Sequence, residues 1–448
     1  MRSFTRGSPV RLLVFSFLVI ILIGTALLSL PFATTERISL IDALYTATSA
    51  VCVTGLIVRD TQYDFTPFGK IVILILIQIG GLSYMTLTTI LILLFKKRPT
   101  VSEKLIIREA TGVLTFRNVS GFLFDILKVV LLFEGIGALL LFLSLYPRFP
   151  FWSALFHSIF HSVSAFCNAG FSSFSANLSP FAREIFFPLV VAILFISGGL
   201  GFLVWSDLYR TYFKRENPSL SLHSRVVLLL TFLLILLGTV LILFLEGGKA
   251  LKGFPLANKI LISFFHATTP RTAGFNLVDV GSFSLPTLIL IISLMFIGAS
   301  PGGTGGGIKT TTFFITLLYP FLFLRNTLPG RFFKHRLKSE VSQKGLAISL
   351  LSLILIFSAA FFVSLFEPGK DFIRILFEIV SAFGTVGLSL SSLIKRNLSA
   401  SYDFSAWAKL VIIFVMFAGR IGPLNLLRIL VKEKRRLFEY PEGEIAVG

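Results

Sequence analysis

Four short segments of this chain share one register, and that repetition constrains the fold more than any other feature. They read Thr46-Ala-Thr-Ser-Ala-Val-Cys-Val-Thr-Gly55-Leu56, His161-Ser-Val-Ser-Ala-Phe-Cys-Asn-Ala-Gly170-Phe171, Phe265-His-Ala-Thr-Thr-Pro-Arg-Thr-Ala-Gly274-Phe275 and Glu378-Ile-Val-Ser-Ala-Phe-Gly-Thr-Val-Gly387-Leu388. With the glycines in one column, a hydroxyl stands six positions earlier each time, at Ser49, Ser164, Thr268 and Ser381, and a bulky apolar residue follows. The glycines recur at near-equal intervals, so one unit occurs four times. A lone glycine after small polar residues is common in membrane helices, where it allows close packing. Four in one column, each between paired apolar runs, exceed what packing needs.

Each unit has one plan: a long apolar span, a shorter and more polar helical stretch ending at the glycine, an exposed link, then a second long span. The spans fall near 10–30 and 68–95, 119–145 and 181–208, 225–245 and 284–324, and 345–366 and 404–431. Composition agrees, since 55% hydrophobic and 14% charged residues in 448, with a mean hydropathy of +0.88, are too apolar for a water-soluble domain. The stretches Leu40 to Val51 and Asp371 to Phe383 are too short and polar to cross a bilayer and suit helices that enter from outside and return as loops. The predicted fold is therefore an all-α integral membrane protein: eight transmembrane helices plus four re-entrant pore helices, in four M1-P-M2 repeats with pseudo-fourfold symmetry. Residues 1–95 form the first repeat, 96–212 a cytoplasmic linker and the second, 213–324 the third with an interrupted second span, and 325–448 a linker, the fourth and a tail. Leu12 to Leu30 reads as a retained span, because no small-residue cleavage site precedes Pro31.

The net charge of +19 would point to nucleic acid in a soluble protein, but its distribution excludes that reading. Arg2, Arg6 and Arg11 precede the first span; Lys96, Lys97, Arg98, Lys104, Arg108 and Arg117 follow the second; Arg210, Lys214, Arg215 and Arg225 follow the fourth. Arg325, Arg331, Lys334, Arg336, Lys338 and Lys344 follow the sixth, and Arg428, Lys432, Lys434, Arg435 and Arg436 come after the last. Basic segments on every second connection place both termini in the cytoplasm of a multi-pass protein of the cell's inner (plasma) membrane. They also suit anionic lipid headgroups. Two cysteines, Cys52 and Cys167, make no disulfide framework and are expected as free thiols.

Extended backbone at membrane depth carries unsatisfied carbonyls unless it lines a path for water or ions. A ring of such carbonyls replaces the hydration shell of a cation, which is how potassium filters work. Glycine permits the unusual dihedrals and close approach, and a preceding helix that ends there turns its negative pole toward the cation. The candidate filter residues are Val53, Thr54 and Gly55; Asn168, Ala169 and Gly170; Thr272, Ala273 and Gly274; and Thr385, Val386 and Gly387.

These loops resemble those of the Trk/Ktr/HKT superfamily of potassium transporters, and the resemblance covers almost the whole chain. Phe417-Ala-Gly-Arg-Ile-Gly-Pro423 and the ending Tyr440-Pro-Glu-Gly look closest to membrane subunits of the Ktr branch. The resemblance implies uptake of K+, often with Na+ as activator, by a homodimer with one pore per subunit. It also implies a cytosolic nucleotide-binding ring subunit (KtrA-like) that regulates the pore, and no bound organic cofactor. Members with serine at the first filter glycine tend to admit sodium; Gly55 favours potassium.

Two features lie below the loops. The sixth span is interrupted by Gly298-Ala-Ser-Pro-Gly-Gly-Thr-Gly-Gly-Gly-Ile-Lys-Thr310, which cannot stay helical. It is no phosphate loop, since Ile308 separates Gly307 from Lys309-Thr310 and no strand precedes it. Broken helices usually line a cavity, and Gly302, Gly303, Thr304, Gly305, Gly306 and Gly307 are expected to form a movable gate, as the resemblance also implies; a static kink is the plainer alternative. Arg420 is the one charge deep in the last span and is expected to face the ion path as an electrostatic barrier, against the alternative of an arginine snorkelling to the inner interface. Arg271 is placed either at the outer rim of the third loop or in packing, and Lys309 on the cytoplasmic side without a specific partner.

Catalysis finds no constellation here. Five histidines include His157 and His161, spaced as a zinc pair, but the intervening residues lack the glutamate base, so both are expected to pack under the second loop. Glu378 is expected to hold the fourth loop's scaffold. The chain is read as no enzyme; the rival reading is a proton- or sodium-coupled secondary carrier for another small solute, against which four parallel repeats with few central acids argue.

Overall fold

A computed structural model describes residues 9–82, 119–215, 218–325, 331–332, 335–336 and 339–430. The basic loop Lys96 to Arg117, the end of the second span and the tail beyond Leu430 lie outside the described residues. Among the described residues, apart from the two-residue pairing of Arg331–Phe332 with His335–Arg336 and two isolated bridges, the regular secondary structure is helical.

Four runs follow one order. The first is α1 (Pro9–Leu28), α2 (Leu40–Val51) and α3 (Pro67–Gly81); the second is α4 (Val119–Leu145), α5 (Phe151–Phe166), α6 (Phe186–Leu200) and α7 (Phe202–Leu208). The third is α8 (Leu222–Glu246), α9 (Leu256–Thr268), α10 (Leu285–Phe296) and α11 (Thr310–Leu324); the fourth is α12 (Ser339–Phe366), α13 (Phe372–Gly384), α14 (Ala406–Ile421) and α15 (Pro423–Leu430). Among the described residues three helices are long and apolar enough to cross a membrane by themselves, Ile126–Leu145, Leu222–Glu246 and Glu340–Phe366. Their outward faces are apolar and exposed, as at Leu131, Phe244 and Phe361, which is the face a helix presents to lipid rather than water.

The short helices α2, α5, α9 and α13 have 12, 16, 13 and 13 residues. At about 1.5 Å per residue they reach roughly 18–24 Å, less than a hydrocarbon core. They are the buried elements, with Ala47, Ala50, Ala165, Ala267 and Ala382 fully enclosed. Their starts are written in the sequence: Ser39 caps α2 by accepting from Asp42 N at 3.1 Å, and Pro150 and Pro255 stand at the caps of α5 and α9.

The runs pack as a closed cycle. Helix α3 contacts α5, α6 contacts α9, α10 contacts α13, and α14 contacts α2, so each run's second long element lies against the next run's short helix. Small residues make this possible: a Cβ on Gly80, Gly198 or Gly419 would overlap the carbonyl oxygen of Val51, Phe166 or Phe383, which stand at equivalent places four residues before the column glycines.

One expected span is corrected. The stretch 181–208 is not one straight helix, because α6 and the helix after it meet at 93°. Gly201, at φ 92°, makes the turn, a conformation glycine enters without steric penalty. The last span is likewise broken at Gly422, φ 91°. The sixth breaks where expected, and Ile297 and Ile308 close the loop's neck as a parallel bridge.

Candidate functional site: a glycine ring above a glycine loop

Each short helix ends in the same unusual backbone. Val53, Asn168, Thr272 and Thr385 lie at positive φ (55°, 57°, 80° and 49°), and so do Gly55, Gly170, Gly274 and Gly387 (90°, 69°, 76° and 92°). Residues with side chains rarely sit there, and the strain of about 1–3 kcal/mol each is typical of functional sites.

The four loops meet in chain order. A Cβ on Gly55 would stand 2.5 Å from Ala169 O and 2.9 Å from Gly170 Cα; one on Gly170 would stand 3.0 Å from both Ala273 O and Gly274 Cα. One on Gly274 would overlap Val386 O, and one on Gly387 would overlap Thr54 O beside Gly55 Cα. Every glycine thus leaves room for the next loop's carbonyl, and the fourth returns to the first. All four line one open cavity, together with Asp60, Asp279 and Arg396.

The hydroxyl column holds the loops, with one correction. Ser49 Oγ accepts from Gly55 N and Ser381 Oγ from Gly387 N, both at 3.1 Å, and Ser164 Oγ donates to Phe171 O at 2.6 Å. In the third loop the task passes to Thr269, which donates to Phe275 O at 2.7 Å, while Thr268 bonds back to Phe264 O within its helix. Helix α9 ends at Thr268, so its hydroxyl still faces the preceding turn.

Beyond each glycine the chain is braced by a polar side chain of the short helix, an aspartate, two histidines and a glutamate in turn. Asp42 binds Arg59 Nη2 at 2.8 Å and Lys409 Nζ at 3.0 Å. His161 Nε2 meets Ser172 Oγ at 3.0 Å, and His266 Nε2 accepts from Leu277 N and Val278 N at 3.3 Å. Glu378, fully buried, accepts from Ser389 Oγ at 2.7 Å, from Ser401 N at 3.0 Å and from Ser401 Oγ. His157, which bonds Ser173 Oγ at 2.7 Å, packs with His161 around the second loop.

Directly under the ring lies the loop between α10 and α11. Thr304 Oγ1 bonds the Asn168 side chain at 2.8 Å, Gly306 N donates to Thr385 Oγ1 at 3.0 Å, and Gly305 lies so close to Thr272 that a Cβ would overlap Oγ1. Three of the four left-handed positions therefore touch the loop. Gly302 and Gly307, at φ 76° and 67°, set its corners, and Gly303 lies buried at Gly198 and Gly199.

Two cations hold it. Arg420, 7% exposed, donates to Thr304 O and, across the structure, to Gly80 O. Such burial does not describe a side chain that snorkels out. Lys309 Nζ donates to Gly305 O at 2.7 Å, a partner the sequence reading did not assign. Of the two placements open for Arg271, the structure has the packing one: it is buried and donates to Thr231 Oγ1 on α8 at 3.1 Å. The signals that could have been read were the glycines that recur in the second long elements, Gly80-Gly81, Gly198-Gly199-Leu200-Gly201 and Gly419-Arg420-Ile421-Gly422.

Comparison with known proteins shows the family of the chain. A family profile described as TrkH, cation transport protein, matches residues 8–440. The Ktr system potassium uptake protein B of Bacillus subtilis (strain 168) is 39% identical, over 100% of this chain and 98% of that protein. The protein of the same name from Vibrio alginolyticus is 37% identical over 100% and 96%. The potassium/sodium uptake protein NtpJ of Enterococcus hirae is 36% identical over 99% and 98%. The crystal structure of the potassium transporter TrkH from Vibrio parahaemolyticus superposes with a TM-score of 0.68 at 20% identity, over 93% of this chain and 84% of that one, a likeness of fold.

Proposed function

The chain belongs to the TrkH family of cation transport proteins, and on that premise we propose that it takes up potassium through one pore whose narrowest part is the ring of Gly55, Gly170, Gly274 and Gly387. The closed cycle in which each glycine admits the next loop's carbonyl carries this reading. Carbonyls of Val53 to Gly55 and of the three equivalent segments would replace the water around K+. The relatives named for potassium uptake match this chain end to end, which supports the cargo; the one named for potassium and sodium keeps Na+ as a second ion or activator.

The membrane arrangement is eight crossings and four re-entrant helices in pseudo-fourfold order, bounded near residues 95, 212 and 324, with both termini in the cytoplasm. Under it, Gly302 to Gly307 act as the gate. The loop's contacts with Asn168, Thr272 and Thr385 support this. Arg420 stands as the barrier: at an effective dielectric of about 20, a unit charge about 5 Å from a passing cation opposes it by roughly 3 kcal/mol. Since the relatives are named as parts of a Ktr system, a KtrA-like ring subunit on the cytoplasmic face and a homodimer complete the assembly.

The test is potassium-limited growth and rubidium uptake in cells stripped of their own potassium transporters, comparing the intact chain with Gly274→Ser at matched expression. Rescue that the substitution weakens is the expected result. Uptake indifferent to Gly274 would remove the ring from the ion path.

A further inference from the structure

We propose that the segment running off the bend at Gly201 is a docking surface for anionic phospholipid headgroups, and that lipid bound there restrains the loop of residues 298–309. The proposal rests on the inner-side orientation given above. After α6 the chain turns through 93° and continues as one helical run to Phe213. A helix at right angles to a membrane span lies along the membrane surface. This one ends in an alternating patch of rings and charges. Tyr209, Tyr212 and Phe213 are 53%, 64% and 80% exposed, and Arg210, Lys214 and Arg215 are exposed among them. Lys214 Nζ stands 5.7 Å over the Tyr209 ring, and Tyr209 stacks on Phe213 at 5.8 Å, so cation and rings form one surface. Aromatic rings seat at headgroup depth and basic side chains seek anionic lipid, which makes the inner leaflet the occupant that fits both.

The bend is joined to the loop by backbone. Ser300 N donates to Gly199 O at 3.0 Å, Thr304 N to Gly198 O at 3.2 Å, and Phe202 N to Gly302 O at 3.1 Å. A Cβ on Gly201 would come within 2.7 Å of Pro301 O, so the two segments are in direct contact. Trp205 Nε1 donates to Ser197 O at 2.9 Å across the bend, and Ser221 N donates to Asp207 Oδ2 at 2.9 Å, which fixes the far end to α8. Any tilt of α7 out of the plane therefore pulls directly on the Phe202–Gly302 bond and, through Gly201, on the end of α6 whose Gly198 and Gly199 carbonyls hold the loop. Lipid that pins the patch keeps the bend, and the bend keeps the loop.

The experiment uses the full chain and two readouts. In native mass spectrometry the intact protein should retain phosphatidylglycerol over phosphatidylcholine, and R210Q/K214Q/R215Q should lose that preference, by about fivefold for each charge removed. In vesicles, rubidium flux through the intact protein should be several-fold slower with phosphatidylglycerol present than in phosphatidylcholine alone, and flux through the triple variant should be equal in both. Retention without preference, or preference unchanged in the triple variant, overturns the docking surface and leaves the patch to a protein partner. Flux indifferent to phosphatidylglycerol overturns the restraint. Should the protein carry no ions in any lipid, the transport reading fails, and the retention measurement still decides the docking surface.

Discussion

Above the level of Val53, Asn168, Thr272 and Thr385 the four runs share one plan; below it, among the described residues, they contribute different parts. The upper region repeats one backbone signature four times, a left-handed residue two positions before a left-handed glycine, and varies the side chains that hold it. In the lower region the third run alone supplies a loop, the fourth supplies Arg420, the second supplies the bend at Gly201, and the first supplies the carbonyl of Gly80. Equivalence suits a shell that must surround an ion evenly. Inequivalence suits a part that must move, because a loop from one run can shift without the other three.

The contrast can be broken at the top. Serine at any ring glycine should cut rubidium uptake by roughly tenfold or more, since strain and overlap of about 1–3 kcal/mol act on the ion-binding geometry itself. The order is informative: Gly170, with 3.0 Å of room, should be the mildest and Gly387 among the worst. Equal, small losses at all four would deny the ring its role. At the lower level, deleting Gly302 to Gly306 should raise basal flux and uncouple it from any cytosolic regulator; unchanged flux and regulation would make the loop a static kink. Smaller still, Arg420→Ala should raise flux several-fold by removing the charge and its hold on Thr304 O, whereas unchanged flux would take Arg420 out of the ion path. The finest test lies within the third loop. Thr269→Val should lower the melting temperature by the equivalent of about 1 kcal/mol, the worth of a buried hydrogen bond, and disturb potassium over sodium preference, while Thr268→Val should leave preference intact. The reverse result would restore the six-position column.

How much of this was legible follows the same divide. The ring was readable because glycine at a left-handed position has few substitutes, so Gly55, Gly170, Gly274 and Gly387 stand in register whatever surrounds them. The broken sixth span was readable because Pro301 and five glycines defeat a helix locally. The 93° bend was not: Phe186 to Leu208 is apolar almost throughout, and hydropathy does not tell a span from a span with a corner. Thr269 was missed because a column of equal spacing assumes equal helix ends. The partners of Lys309 and Arg271, Gly305 O and Thr231 Oγ1, were not legible because they become neighbours only after folding.

A pore built from four copies of one subunit must accept every mutation four times, so its lining changes all at once or not at all. Here Gly55, Gly170, Gly274 and Gly387 are separate codons of a single gene, joined in a cycle where each abuts the next. One nucleotide change therefore alters one wall and leaves three standing. In the proposed pore, ion preference can be adjusted by quarters, and a lesion in one wall can be answered by a compensating change in its neighbour.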